Sequence, residues 1–484
     1  MPRDGTIIPL FGTGVKGFSQ TVSSQLRRNV YVEFPKDPEK GPIAVYGRPG
    51  LSLVATLVAS SGPSLTRAMF ESFSYETPFD GLREIGVIVC GNIVNSITPG
   101  TSIGNFLVLT TNTGPVGIIK NPTQLLIADG AFGYSVDVTA GFANTVITSG
   151  WFPNGATSVA FINGRGVAVE PNSGRFWYSA LNDFASGGAA NFYTAESDPD
   201  DLRVVWNHFG QLAMFGKFTT EFWASGSGTT IFQRVGGTAL EWGIAAVRSV
   251  KKIDRGTIFL GQNQNGDKKV LLMQGYQVQP ISIPEIEFQL QSQPVEAGIA
   301  AAYTINGHTF YRLSFPDKVF VYDVTSNTWN DDTTGSAEQR GIGQLGCLIA
   351  GTYLVSDYRA NGRIYKLDPD VYTDAGETII RESITKHVFH DYDRVSVEEL
   401  GLDFEVGVGL QSGQGVDPKI MLQIGRDNGH TWGNIIERTL GRMGQYLSRV
   451  WAGPFGSSRD WLIRIRMSDP VKFALTGGAI RIRP

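Results

Sequence analysis

Apolar and β-branched residues in this chain come in short bursts, not in helical stripes. Ile85–Cys90, Phe106–Thr110, Val116–Ile119 and Leu125–Ala128 are each bounded by Gly, Asn, Asp, Pro or Ser. Such bursts predict strands joined by tight turns. Ser158–Ile162 passes through Asn163-Gly164 into Gly166–Glu170, and Ala300–Ile305 passes through Asn306-Gly307 into His308–Phe315. Asn-Gly tolerates positive φ at both centres of a two-residue hairpin, so both sites are strong hairpin signals. Leu202–Trp206 turns at Asn207–Gly210 into Gln211–Gly216, and Arg255–Gly261 turns at Asn265-Gly266-Asp267 into Lys269–Met273.

From about residue 65 these strands group in threes and fours with a period of roughly 40 to 50 residues, the spacing of propeller blades. Val319–Asp323 with Thr328-Trp329, and Arg363–Asp368, look like copies of one closing strand. The pattern predicts five to seven blades, each able to bury its faces only against its neighbours. Two stretches depart from it. Asn182 to Arg203 is rich in Ala, Gly, Ser and Asp and reads as a long loop, and Ile281–Ala302 is the most helix-like segment.

Ahead of this body the chain reads as an extended lead-in, with a loop at Pro35–Pro42 and a turn at Gly47-Arg48-Pro49-Gly50. Beyond about residue 380 the alternation sharpens. Arg464–Met467 and Ile480–Arg483 are strict period-two runs, and seven strand-like segments there suggest a small β-sandwich. The expectation is an all-β chain: an extended segment with strands over 1–64, a β-propeller-like domain over 65–375 and a β-sandwich-like domain over 376–484.

Composition sharpens this picture. Of 484 residues, 42% are hydrophobic, only 18% are charged and 59 are Gly, which suits many strands and turns. The net charge of −4 argues against a general nucleic-acid-binding surface; it does not exclude a channel, whose weakly acidic wall would let DNA slide without sticking, since phosphate affinity comes from Lys and Arg. Met1–Leu10 lacks the long apolar core of a secretory signal, and no apolar run approaches the length of a membrane span, so neither is expected. Cys90 and Cys347 lie in strand-like apolar runs and read as small buried hydrophobes; their spacing allows a disulfide but does not suggest one.

Candidate chemistry is sparse. Asp427-Asn428-Gly429-His430-Thr431-Trp432 resembles an Asp-box, a hairpin of sialidase-type propellers; its residues stabilise a turn and are not themselves catalytic. His387, His390, Asp391 and Asp393 are ligand types close together, but on a strand the two histidines point to opposite faces, so an interface or surface role is preferred to a metal site. Gly12-Thr13-Gly14 with Lys16 only superficially suggests a phosphate loop, because no apolar strand precedes it and no Ser or Thr follows the Lys. Asp200-Asp201 and Asp331-Asp332 sit in polar turns and read as solvated. Trp177, Trp206, Trp223, Trp242, Trp329, Trp432, Trp451 and Trp461 read mostly as core, with some as interface anchors. No catalytic, cofactor-binding or metal residues are assigned, and no enzyme is expected.

A family resemblance runs through nearly the whole chain. Ser24-Gln25, Arg27-Arg28-Asn29-Val30-Tyr31 and Gly47-Arg48-Pro49-Gly50-Leu51 resemble the N-terminal signature of packaged-DNA stabilisation proteins, the tail hub subunits of short-tailed phages. Arg175-Phe176-Trp177-Tyr178-Ser179, Ala195–Asp200 and Glu221-Phe222-Trp223 fit the central part, and Gly441, Gly444-Gln445-Tyr446, Trp451 and Arg464–Arg483 fit the end. The resemblance implies a virion structural protein assembled in the host bacterial cytoplasm. It implies a homo-oligomeric ring, usually a hexamer, on the tail adaptor below the portal. Contacts with tail fibres or spikes and a plugging needle follow, with viral DNA passing through the channel without sequence-specific binding and with no cofactor. The competing expectation is a carbohydrate-binding or depolymerising β-propeller, resting on the Asp-box and the aromatics.

Overall fold

The computed structural model describes residues 6–9, 25–35, 43–77, 81–98, 103–195, 200–226, 230–389 and 393–483. Its architecture is a seven-bladed β-propeller joined to a β-sandwich. The first four blades are four-stranded antiparallel sheets starting at Thr66–Thr77, Gly117–Lys120, Val159–Ile162 and Leu202–His208. The fifth opens with Gly243–Ile244 and Lys251–Ile253, both paired with Gly256–Gln262. The sixth runs from Ile299–Ile305 to Thr328–Asp331, and the seventh starts at Gly343–Ile349. Neighbouring blades touch in order, and Gly343–Ile349 of the seventh returns to Thr66–Thr77 of the first, so the ring is closed.

The fourth strand of blade seven is Gly50–Thr56, antiparallel to Arg363–Asp368. A strand from the start of the chain therefore completes the last blade and ties the ring shut.

The hairpins form where the turn chemistry allows. Asn163 and Gly164 have φ of 49° and 77°, and Asn306 and Gly307 have φ of 51° and 79°, each pair joining two paired strands. The Asn182–Arg203 stretch, expected to be a loop, contains the short strand Phe192–Thr194, which closes blade three. The one α-helix among the described residues is Pro284–Leu290, within the helix-like segment. Pro starts it, Glu285 and Glu287 sit in its first turn, and Ile286 and Leu290 are buried. No helix among the described residues is long and apolar enough to cross a membrane.

The core is distributed between blades. Val87 and Val89 of blade one meet Leu125 and Ile127 of blade two, and Phe215 of blade four meets Phe259 of blade five at 4.9 Å between rings. Burying one such side chain contributes roughly 1.5–3 kcal/mol. Cys90 is buried and Cys347 half-buried within one cluster between blades seven and one, and both are free thiols. Burial pushes the Cys90 thiol up to about 11 and the Cys347 thiol up to about 12, so both stay protonated at neutral pH.

The sandwich packs two sheets over a second core that includes Val32, Val45, Leu400, Leu422, Trp461, Ile465 and Ile482. One sheet contains Val30–Glu33, Ala44–Gly47, Ala474–Arg483, Val395–Phe404 and Val450–Ala452. The other is continuous with blade six. Thr328–Asp331 is followed by Arg27–Arg28, then Arg381–Ile384, Leu462–Met467, Lys419–Gly425 and Ile436–Thr439, giving nine strands in all.

Candidate functional site at the junction of propeller and sandwich

The N-terminal segment is stitched into both bodies. Arg28 pairs in parallel with Asp331 of blade six and antiparallel with Glu382 of the sandwich. Asn29 then takes a left-handed φ of 56°, which Asn tolerates better than most residues. Its side chain is fully used. Nδ2 donates to the Ile380 carbonyl at 2.7 Å and to Thr333 Oγ1 at 2.9 Å, while Oδ1 accepts from the Thr333 N–H at 2.8 Å and Arg48 Nε at 2.9 Å. Val30 and Val32 continue into the sandwich core, and Tyr31 turns to the other face, onto Phe310 and His308 of blade six. Strand alternation delivers the two sets of side chains to two different bodies.

Arg48, inside the Gly-Arg-Pro-Gly turn, enters the interface of blades six and seven. Its Nη1 and Nη2 donate to the two carboxylate oxygens of Asp374 at 2.9 and 2.6 Å, and its Nε lies 2.8 Å from Asp332. Arg312 of blade six holds the other oxygen of Asp332 at 2.8 Å. Burial alone would raise the Asp332 carboxyl, but Arg48, Arg312 and Arg340 hold it below its ordinary value. Asp331-Asp332 is thus not the solvated pair that its polar neighbours suggested. Asp332 is buried because guanidinium groups converge on it, and half-buried Asp331 pairs with Lys318 at 3.3 Å.

A second cluster joins the bodies directly. The fully buried Glu382 carboxylate accepts from Arg464 Nε at 2.6 Å and Arg28 Nη1 at 3.1 Å. Glu338, from the propeller, pairs with both Arg28 and Arg466 of the sandwich. Glu338 has a φ of 52°, uncommon for a residue with a side chain. Close by, Gly47 makes room for the buried Arg381, since a Cβ there would come 2.6 Å from its Nε. Burial pushes the Arg381 guanidinium down to about 10. These carboxylates are consumed by arginines, so the junction is arranged to hold two bodies together.

The other motifs have separate places. Phe176 packs on Trp223 at 5.1 Å between blades three and four, which explains why the Arg-Phe-Trp-Tyr and Glu-Phe-Trp motifs occur together. The Asp-box is a turn in the sandwich, between Lys419–Gly425 and Ile436–Thr439. Asp427 accepts from the Thr431 hydroxyl at 2.6 Å and its N–H at 2.9 Å, and Asn428 and Gly429 have positive φ. His387 Nδ1 lies 2.6 Å from Asp460, while His390 and Asp391 fall outside the described residues, as do Gly12-Thr13-Gly14, Lys16, Ser24 and part of Ala195–Asp200. Asp200 accepts the N–H groups of Phe218 and Thr219 at 2.6 and 2.9 Å. No group of three or more His, Cys, Asp or Glu placed to hold a metal occurs among the described residues. Trp223, Trp329 and Trp461 are buried, Trp177, Trp206, Trp242 and Trp432 are half-buried, and Trp451 is exposed.

The propeller axis is bridged. Arg248, just before Lys251–Ile253 of blade five, donates to the Arg67 carbonyl of blade one at 2.7 Å. Blades five and one are not neighbours, so this bond crosses the axis.

Family models cover most of the chain. The one described as bacteriophage P22 Gp10, beta-propeller, matches residues 89–372, and the one described as bacteriophage P22 Gp10, beta-sandwich, matches residues 380–483. The chain belongs to the bacteriophage P22 Gp10 family. It is therefore a structural protein of the tail/stabilisation class of short-tailed phages and a virion component. The two matched regions fall within the two bodies seen here, each of which also takes strands from the first 88 residues. No curated protein matches the chain. Solved structures found to be similar include a streptogramin B lyase, 13% identical over 65% of this chain and 96% of that one, with a TM-score of 0.43. Virginiamycin B lyase from Staphylococcus aureus is 11% identical over 65% and 98%, also at 0.43. The extracellular domain of a putative one component system from B. thetaiotaomicron is 9% identical over 82% and 48%, at 0.43. Nothing about activity follows from likeness at this level.

Proposed function

We propose that this P22 Gp10 family member is a subunit of the tail hub or nozzle, which closes the head-to-tail channel, retains packaged DNA and conducts it at ejection. The observation that carries the reading is the tandem match of propeller and sandwich to one phage structural family. The junction supports it physically: two bodies clamped by buried arginine–carboxylate pairs form one stiff unit suited to bearing load. The role is mechanical and not enzymatic.

The bridged propeller axis bears on the path of DNA. A duplex does not thread a channel crossed by a single side chain, so in this reading the DNA passes between subunits arranged in a ring, six being the expected number. The net charge of −4 suits a wall that does not grip phosphates. The ring would be assembled in the host cytoplasm, sit on the adaptor below the portal, and carry fibres or spikes and a plugging needle. Antibody against this chain, imaged on purified virions, is expected to label the head–tail vertex. Label confined to peripheral fibres would reject the reading.

A further inference from the structure

The outer face of the first sandwich sheet carries a groove of about 730 Å³. Its floor is backbone: Gly401 lies opposite Ala479 on the two central strands, with Gly478 beside it. Trp451 is the cross-strand neighbour of Gly401, and a Cβ at 401 would come 3.1 Å from the indole ring. The glycine lets the indole lie down on the strand, which holds the ring in place. Yet Trp451 remains 44% exposed, the one tryptophan of nine in the exposed class. Tyr446, 73% exposed, also lines the groove.

The polar lining narrows the ligand. Glu399 pairs with Arg481 at 2.8 Å, and Asp403 and Arg449 also line the groove. Two acids and two bases sum to zero, so the groove selects neither phosphate nor a strongly charged peptide. It opens on the sheet face, beside Val450–Ala452, the last strand of that sheet, which carries Trp451. The groove presents an aromatic surface, Trp451 lying on Gly401, beside carboxylate and guanidinium groups that accept and donate hydrogen bonds. A pyranose presents complementary chemistry: an apolar C–H face to stack on the indole, and adjacent hydroxyls that both donate and accept.

We propose that this groove is a binding site for a neutral oligosaccharide, held without covalent chemistry. It stands on the sandwich groove and is independent of the hub role. The full-length protein is titrated calorimetrically with neutral oligosaccharides of glucose, galactose, mannose and N-acetylglucosamine, and with a mixed peptide pool. At least one oligosaccharide is expected to bind saturably with a Kd of about 1 mM or tighter. Trp451→Ala is expected to weaken that binding on the order of tenfold or more, and Trp451→Phe to retain it, with both variants melting close to the parent because the ring is exposed. Absence of saturable binding across the panel, equal binding by Trp451→Ala, or binding of peptides alone would overturn the proposal.

Discussion

Arg48 sits between blades six and seven with its fork on Asp374 and its Nε on Asp332. Removing it leaves two buried carboxylates short of a partner, a change that typically costs about 3–5 kcal/mol. Arg48→Ala is therefore expected to lower the urea midpoint markedly. Arg48→Lys should recover only part of the loss, since an ammonium cannot replace the fork; full recovery would mean that charge alone matters here. His308 offers a pH test. Its Nδ1 lies 2.7 Å from buried Asp323, and that hydrogen bond raises the imidazole above its ordinary 6.5. A folded-state value above the unfolded one adds stability at pH below 6.5, lost as pH rises through the folded value. Melting temperature measured from about pH 6 to 8 should fall more steeply in the parent than in His308→Gln. Parallel curves would show that the pair does not couple protonation to folding.

At the level of elements, ring closure depends on a tight crossing. Gly362 has a φ of 70°, and a Cβ there would come 1.8 Å from the Leu57 carbonyl oxygen, where the closing strand ends. Gly362→Ala combines backbone strain with a clash, and a loss of more than about 2 kcal/mol is expected by chemical denaturation. A chain starting at residue 58 would lose Gly50–Thr56 from blade seven and Val30–Glu33 and Ala44–Gly47 from the sandwich. It is expected to be insoluble or rapidly proteolysed, whereas a soluble product with the parent melting temperature would show that the staple is dispensable. Local patterning was enough to read the Asn-Gly hairpins and the short helix, because their signals lie within a few residues. It was not enough for Phe192–Thr194, whose flanks look like loop, or for Ala143–Val146, a fully exposed outer strand. The pairing of Gly50–Thr56 with Arg363–Asp368 leaves no local trace, since its partners are some three hundred residues apart.

At the scale of the whole molecule, the period of the strand groups pointed to a propeller and the sharper alternation beyond residue 380 to a sandwich. The roles of the signature motifs were not legible in the same way. Arg27-Arg28-Asn29-Val30-Tyr31 and Gly47-Arg48-Pro49-Gly50 read as a lead-in and a turn, yet they carry the junction. One available signal was a set of arginines, Arg27, Arg28 and Arg48, in a charge-poor chain, next to Asn and Gly positions suited to unusual backbone. The result is a closed ring and a sandwich sharing one nine-stranded sheet, fixed at the seam by Glu338 and Glu382. The most direct test of the retaining role is the DNA content of heads from a lysate lacking this chain, measured before and after nuclease treatment and again after adding the purified protein. Empty or nuclease-sensitive heads, with protection restored on addition, are the expected result. Full, nuclease-resistant heads in its absence would contradict it.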